Sequence, residues 1–464
     1  MLPALAMGLV GLVWAWPALA LCPKDVGDAI APVTTSPELR PAHLGIAVET
    51  LAGEVIYHQD AEQFFIPASN VKLFTTAAAL HHLGPTYRIR TSLYGRVQQG
   101  LTSLRVVGRG DPTLGPQQLR TLARQLHGQG IRRVSQLLAD DSYFQEPAVH
   151  PNWEWEDVQA AYGAPVNGLI LNENAVTLTL TPTAPGHPLG ISWSDPTAVD
   201  SWSIRNSTTT ATADEAATVG VERALAAATL YLRGQLPQGG APDTTDLAIP
   251  DPGRYFLEHL RQALLETGIA VGATTLTREP VALEDSELAW VESPPLATLL
   301  VPTNRDSHNL YAEVLFKTLG ATQAVPSETA IENILATLGI APEQIVLVDG
   351  SGLSRHNLAT PQALVDVLQI MHGHPQGRVL RQSLAVAGRS GTLRHRFGQT
   401  PVANRFYGKT GAVTNNFSLS GYLYPPDHEP LVVSLIINHA DHPGRVLRPL
   451  IDRIVITLAQ LQPC

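Results

Sequence analysis

Ser69 and Lys72 stand three residues apart in Pro67-Ala68-Ser69-Asn70-Val71-Lys72, at the mouth of a helix-forming run that stops at Gly84-Pro85. Residues three apart on a helix are surface neighbours, so the hydroxyl and the amine face the same way. A serine hydroxyl becomes a nucleophile when a base takes its proton, and a neutral amine one turn away is such a base. The N–H of Ser69, at a helix start, has no intrahelical partner and is free to hold a developing oxyanion. Two further clusters supply what acyl transfer still needs. Ser307-His308-Asn309 enters a helix, and Lys409-Thr410-Gly411 ends a strand-like run. Ser307 can relay a proton to the departing nitrogen, and Asn309 can offer its amide to a substrate backbone. Lys409 and Thr410 can bind a terminal carboxylate by charge and by hydroxyl donation. Gly411 is expected to let substrate lie close to the strand, and the N–H of Ala412 to join that of Ser69 in the oxyanion hole. Burial and the Lys409 cation are both expected to lower the pKa of Lys72.

The elements that must position these groups are legible in outline. Runs 44–49 and 54–58 alternate as a hairpin turning at Ala52-Gly53, and they feed directly into the Ser69 helix. Runs 405–409, 417–424 and 431–438 read as three C-terminal strands, followed by a helix over 445–461. Two N-terminal and three C-terminal strands make one five-stranded antiparallel sheet with helices segregated around it, a mixed α/β (α+β) class. Helices are also expected over 310–319, stopped by Gly320, over 328–338, stopped by Gly339, and from Pro361 to about 371. A buried strand over 345–348 leads into Asp349-Gly350-Ser351-Gly352, a loop that borders the site. Strand-like runs over 87–107 and a helix over 117–127 follow, and between about 131 and 290 the texture changes to short strand candidates separated by turns, with a helix over 255–267, so that 91–289 is set apart. That stretch reads as an insertion of one or two mainly β modules outside the catalytic core, which leaves 21–90 and 290–464 as the catalytic unit.

A chain of 464 residues is long for one core, so two or three domains are expected, and 44% hydrophobic residues provide ample apolar material. A net charge of −10 without any lysine- or arginine-dense run argues against nucleic acid as a partner. Residues 1–20 carry no charge and end in Ala18-Leu19-Ala20, the small-x-small form of a signal-peptidase site. Although the basic n-region is missing, export with a mature chain from Leu21 is the expectation. The only cysteines, Cys22 and Cys464, lie near opposite ends, and an oxidising compartment permits a disulfide between them. Of the sixteen histidines, the close sets His81-His82, His372/His374 and His439/His442 lack the helical i, i+4 pairing with a carboxylate that a zinc site would show, so no metal site is expected and they read as surface or loop residues. Asp111 reads as a turn-former, and Trp153 and Trp155 read as packing residues in preference to sugar-stacking ones.

Ser69-x-x-Lys72, Ser307-His308-Asn309 and Lys409-Thr410-Gly411, in that order, form the signature of penicillin-binding proteins and class A β-lactamases. Together with Gly110-Asp111-Pro112-Thr113-Leu114, Asp349-Gly350-Ser351-Gly352-Leu353-Ser354 and Gly391-Thr392-Leu393, they make the chain resemble the low-molecular-mass class C penicillin-binding proteins. This is the D-alanyl-D-alanine carboxypeptidase/endopeptidase family, and the resemblance covers essentially everything after residue 20. Ser69 and Ser307 lie 238 positions apart, which fits that family's large insertion and fits a compact class A β-lactamase poorly. The resemblance implies a penicillin-binding-protein/β-lactamase-like transpeptidase domain and periplasmic cleavage of peptidoglycan stem peptides through an acyl-enzyme. It also implies β-lactams as covalent inhibitors, no cofactor, no metal, and membrane association that is peripheral if present at all. Two positions depart from the family pattern. His308 replaces the usual Asn or Asp and is expected to point away from the chemistry, and Ala412 follows Lys-Thr-Gly where a hydroxyl residue is usual. One rival is a β-lactamase-type hydrolase, for which no Glu-x-x-Leu-Asn element stands out. The other is a catalytically silent peptidoglycan-binding protein, against which three intact motifs argue.

Overall fold

Six strands form the central sheet of the computed structural model, which describes residues 21–98, 101–224, 227–279 and 286–464. The signal segment expected over 1–20 lies outside the described residues. The strand order is Ala385–Val386, Phe406–Val413, Asn416–Leu423, Leu431–Asn438, His43–Thr50, Val55–Gln59, and every neighbouring pair is antiparallel. The five strands expected from sequence are present. The sixth, Ala385–Val386, is two residues long and cannot display an alternation. His43–Thr50 pairs with Leu431–Asn438 along its whole length, so the two ends of the chain share one sheet. Successive side chains on a strand point to opposite faces. Val432 and Ile436 therefore enter a core with the helices Val71–Leu83, Ser327–Leu338 and Pro361–Gly373. Leu431, Val433, Leu435 and Ile437 enter a second core, with the helices Val26–Thr34 and Gly444–Leu458. Because both faces are covered, Asn416–Leu423 and Leu431–Asn438 are buried throughout.

The termini are tied together as well as paired. Cys22 and Cys464 form a disulfide across a sequence separation of 442, and the Gln462 N–H donates to the Leu21 carbonyl at 3.0 Å. A bridge that closes so long a loop restricts the unfolded chain far more than the folded one. Its removal in a Cys22→Ser/Cys464→Ser double variant is expected to lower stability by about 2–5 kcal/mol. The measurement is the urea midpoint of the catalytic unit followed by far-ultraviolet dichroism. An unchanged midpoint would refute a stabilising bridge.

Two elements differ from the sequence reading for definable reasons. The helix expected to stop at Gly320 runs on as Asn309–Gln323. Gly320 is there for contact, since a Cβ at that position would lie 2.6 Å from Ser327 Oγ and 2.9 Å from Ser327 Cα. The strand expected over 345–348 shrinks to Ile345–Val346, paired only with Leu358–Ala359 outside the central sheet. Its apolar residues serve helix packing, and Ile345 and Leu347 enter the core of the Ser69 helix.

The chain leaves the part built on the central sheet at Ile89 and returns at Ser293, where the Ser293 N–H donates to the Ile89 carbonyl and the Ile89 N–H donates to Ser293 Oγ. Arg90–Gln98 and Ser286–Glu292 then run antiparallel as a stalk. They continue into a five-stranded mixed sheet with Leu101–Val107, Arg133–Asp140 and Ala270–Thr277. Helices Pro116–Gly128 and Pro252–Glu266 pack on that sheet around a core of their own, and residues 175–248 add several short-stranded sheets. A smaller apolar cluster joins the two parts, with Trp153, Val166 and Ile170 meeting Leu299, Leu310, Tyr311 and Val314.

Candidate active site

Ser69 sits in a single 3₁₀ turn, Ala68–Asn70, that passes directly into the helix Val71–Leu83. Ala68 takes a left-handed conformation (φ 49°), which costs a non-glycine residue about 1–3 kcal/mol and persists only where neighbours over-determine it. Here polar side chains from two sheet strands do so. The Asn438 side chain accepts from the Ile66 N–H at 2.6 Å and donates to its carbonyl at 3.0 Å. Ser418 Oγ donates to the Pro67 carbonyl at 2.7 Å. Asn70 Nδ2 donates to Ser420 Oγ at 2.8 Å, and Ser420 in turn donates to Ser434 Oγ at 3.0 Å. The helix that follows is buried on every side from Val71 to Leu80, so its second residue, Lys72, is wholly removed from solvent.

Lys72 Nζ has three neighbours: Ser69 Oγ at 3.0 Å, Asn309 Oδ1 at 2.8 Å and the Ser351 carbonyl at 2.6 Å. Burial brings its pKa down to about 7, against the opposing pull of the Asp349 and Glu313 carboxylates. Burial is the largest cause at Lys72, and the expected repulsion between Lys72 and Lys409 is felt at Lys409. Lys409 is itself held well below the usual lysine range, first by burial and then by repulsion from Lys72. Behind Lys72, Glu313 Oε1 accepts from the Ser351 N–H at 2.7 Å, and burial pushes the Glu313 carboxyl up. Asp349 fixes the loop that carries Ser351. Its two oxygens accept from the N–H groups of Gly352 and Ser354, both at 2.7 Å, from Asn357 Nδ2 at 2.9 Å and from Trp153 Nε1 at 3.0 Å.

The second and third motifs close on the same point. Ser307 is also left-handed (φ 64°), and its Oγ accepts from Lys409 Nζ at 2.7 Å. Lys409 Nζ donates in addition to the Thr410 carbonyl at 2.7 Å. Thr410 Oγ1 meets Thr392 Oγ1 at 2.8 Å. Asn309 bridges, accepting from Lys72 and donating through Nδ2 to the Tyr162 carbonyl at 2.9 Å. A cavity of about 320 Å³ opens on Ser69 and is lined by Asp157, Tyr162, Asn309, Leu353, Arg355 and Ala412, among others. Gly411 faces inward. A Cβ there would lie 2.1 Å from Ser418 Oγ and 2.7 Å from the Pro67 carbonyl. The glycine is required by the approach of the strand to the Ser69 turn, which corrects the expectation that it makes room for substrate.

The insertion, read as lying outside the catalytic core, reaches the site at three places. Tyr162 bonds Asn309, Trp153 bonds Asp349, and Glu173 Oε2 meets His308 Nε2 at 3.0 Å. His308 thus turns to the insertion and away from Ser69, stacked edge-on against Tyr311 at 4.7 Å. Trp153 is buried, whereas Trp155 is 54% exposed and is not the packing residue it was expected to be. Asp111 makes its turn, accepting from the Thr113 N–H at 2.9 Å and from its hydroxyl at 2.7 Å. Among the described residues, no group of three or more His, Cys, Asp or Glu is placed to hold a metal ion.

The model of the D-Ala-D-Ala carboxypeptidase 3 (S13) family matches residues 26–461. The D-alanyl-D-alanine carboxypeptidase of Actinomadura sp. (strain R39) is 32% identical over 488 residues, covering 99% of this chain and 89% of that protein. The D-alanyl-D-alanine carboxypeptidase DacB of Haemophilus influenzae is 26% identical over 409 residues, covering 85% of this chain and 84% of that protein. The fold is also similar to the crystal structure of penicillin binding protein 4 (dacB) from Haemophilus influenzae. The TM-score is 0.83 at 24% identity, over 92% of this chain and 98% of that one.

Proposed function

This chain belongs to the D-Ala-D-Ala carboxypeptidase 3 (S13) family, and from that premise we propose how its own residues carry out the reaction of a serine-type D-alanyl-D-alanine carboxypeptidase. The observation that carries the assignment is the hydrogen-bond count at Lys72. Two of its three neighbours, Asn309 Oδ1 and the Ser351 carbonyl, can only accept. A neutral amine has two N–H bonds for them and one lone pair left, and the third neighbour, Ser69 Oγ, has a proton to give it. Lys72 is therefore the general base and Ser69 the nucleophile.

Ser69 Oγ attacks the carbonyl of the penultimate D-Ala while Lys72 takes its proton. Ser307, held by Lys409, passes a proton to the amine of the departing D-Ala. Water then hydrolyses the Ser69 ester. The strand Phe406–Val413 pairs with Ala385–Val386 only at Gly408 and Tyr407, so its edge is open from Lys409 onward. An antiparallel ladder bonds alternate residues, and Val413 and Asn416 close a two-residue turn. That register turns the N–H groups of Thr410 and Ala412 to the open edge. Ala412 can then share the oxyanion with Ser69, and an extended stem peptide can add to the edge as a further strand. Thr410 and Thr392 offer hydroxyls to the terminal carboxylate, with the Lys409 amine bonded to the Thr410 carbonyl behind them.

Two further assignments accompany this one. The division of the chain into a catalytic unit (21–89 and 293–464) and an insertion (90–292) follows the crossing at Ile89 and Ser293. A periplasmic, exported location suits both the wall substrate and the Cys22–Cys464 disulfide. A synthetic peptide ending in D-Ala-D-Ala tests the reading: the purified enzyme is expected to release D-Ala and to form a penicilloyl adduct that clears slowly. Rapid turnover of penicillin without peptide cleavage would make the protein a β-lactamase, and neither reaction would leave a silent binder.

A further inference from the structure

Asn172, Glu173 and Asn174 are left-handed in succession (φ 50°, 56° and 52°). Asparagine tolerates that conformation, whereas a glutamate keeps it only where its surroundings over-determine it, and such strain collects at functional sites. The insertion holds this turn in place. Asn174 Nδ2 donates to the Pro165 carbonyl at 2.8 Å and to Asn167 Oδ1 at 2.9 Å, and Asn172 Nδ2 donates to Tyr255 Oη at 2.8 Å. The Asn172 N–H donates at 2.9 Å to the carbonyl of Leu114, the last residue of Gly110-Asp111-Pro112-Thr113-Leu114. The turn thereby presents one carboxylate to the second catalytic motif. Glu173 Oε2 faces His308 Nε2, and Oε1 accepts from Tyr311 Oη at 3.2 Å. The His308 bond holds the Glu173 carboxyl below the usual carboxylate range. A carboxylate only accepts, so His308 is the donor.

His308 follows directly on Ser307 and stands at the N-cap of Asn309–Gln323, yet its side chain makes no capping bond. The Asn or Asp that the family pattern usually places there is a residue type that caps a helix locally. Histidine gives up that bond for a longer reach. Among the described residues His308 Nδ1 has no partner, so the ring is fixed by Glu173 and by its edge-on packing against Tyr311. Asn309 is clamped in turn between Lys72 and the Tyr162 carbonyl. The left-handed backbone of Ser307 therefore runs straight into two residues anchored by side chain, one of them by the insertion.

We propose that Glu173 and His308 are a positioning pair by which the insertion sets Ser307 for proton delivery to the departing amine. The inference rests on the role assigned to Ser307 above. An amide nitrogen does not leave without a proton, so the aim of the Ser307 hydroxyl governs acyl transfer from a peptide. A thiolate leaves unprotonated, and acyl transfer from a thioester calls on Ser69, Lys72 and the oxyanion hole alone. Comparing the two leaving groups separates an effect on Ser307 from a general loosening of the site.

The test measures kcat/KM on a synthetic peptide ending in D-Ala-D-Ala and on the thioester in which sulfur replaces the scissile nitrogen. Glu173→Ala and His308→Ala are each expected to lose about tenfold on the amide. That lies between the factor of up to about 5 that a partly exposed pair supplies by itself and the roughly 10²-fold cost of a misplacement of about 1 Å. On the thioester each should lose less than about twofold. The Glu173→Ala/His308→Ala double variant should be no worse than either single one, because the pair acts as a unit. Glu173→Gln can still accept from His308 while its NH₂ donates to Tyr311 Oη, and it should recover to within about threefold of wild type. Unchanged amide turnover, equal losses on the two substrates, or losses that add in the double variant would overturn the pair. Ser307→Ala is the reference, expected to lose more on the amide than on the thioester. Equal losses there would overturn the role of Ser307 on which the pair depends. A wild-type enzyme that turns over neither substrate and takes up no penicillin would overturn the functional reading itself.

Discussion

Ser69→Ala is expected to abolish the covalent penicillin adduct and to reduce D-Ala release by at least about 10⁴-fold, the scale on which a hydrolase loses rate when its nucleophile is removed. The fold should survive. The contacts that hold the left-handed turn belong to Ile66, Pro67 and Asn70, so the midpoint of thermal unfolding should stay within a few degrees of wild type. Gel labelling with a fluorescent penicillin, followed by mass spectrometry of the labelled peptide, reads the result directly. Ser351→Ala is the informative control. Ser351 also lies beside Lys72, but its Oγ is buried against the Leu353 N–H at 3.3 Å, so this variant should still label at Ser69. Equal labelling of wild type and Ser69→Ala would remove the nucleophile assignment and much of the mechanism with it.

The residues to which we assign the bond-making steps are legible in the sequence because each belongs to a short motif in a regular local setting. Ser69 and Lys72 are one helical turn apart, and Lys409, Thr410 and Ala412 share a strand whose alternation is readable. What sequence did not reveal is what holds those motifs in place. Ser418, Ser420, Ser434 and Asn438 sit in strands that read as core, and nothing local marks them as anchors for a turn some 350 positions away. Glu313 and Asp349 appear in recognisable stretches, yet their action on Lys72 depends on a burial that only tertiary packing creates. The insertion was misjudged for the same reason. Its strand-rich texture is plain, but Tyr162 reaches Asn309 through a backbone carbonyl, which carries no sequence signal at all. Gly411 was noticed for the right property and given the wrong neighbour, since a missing Cβ in a strand does not say which side the close approach comes from.

Lys72→Ala should lower acylation by about 10²- to 10⁴-fold, the usual contribution of a positioned general base. The difficulty is that Lys72 is also structural. Without it, Asn309 Oδ1 and the Ser351 carbonyl each lose a donor, and a buried acceptor left unpaired costs about 1–3 kcal/mol. A simple loss of activity could then reflect a loosened site, so pH must separate the two causes. The base is competent only when neutral. With its pKa brought down to about 7, wild-type acylation should rise with pH up to about 7 and flatten above it, falling tenfold per unit on the acid side. In Lys72→Ala that limb should disappear while circular dichroism remains native. Stability carries a second signature of the same proton. The unfolded chain binds it below the ordinary lysine value of 10.5, whereas the folded chain binds it only below about 7. The Lys72 contribution to stability is therefore fully present above 10.5, is lost as pH falls toward 7, and is constant below that. The variant should lack this slope. Burial acts on Glu313 in the opposite sense, favouring a folded state that keeps its proton, so the difference between wild type and variant is the quantity to measure. Normal acylation by Lys72→Ala, or an acid limb that persists without the lysine, would reassign the base to another group.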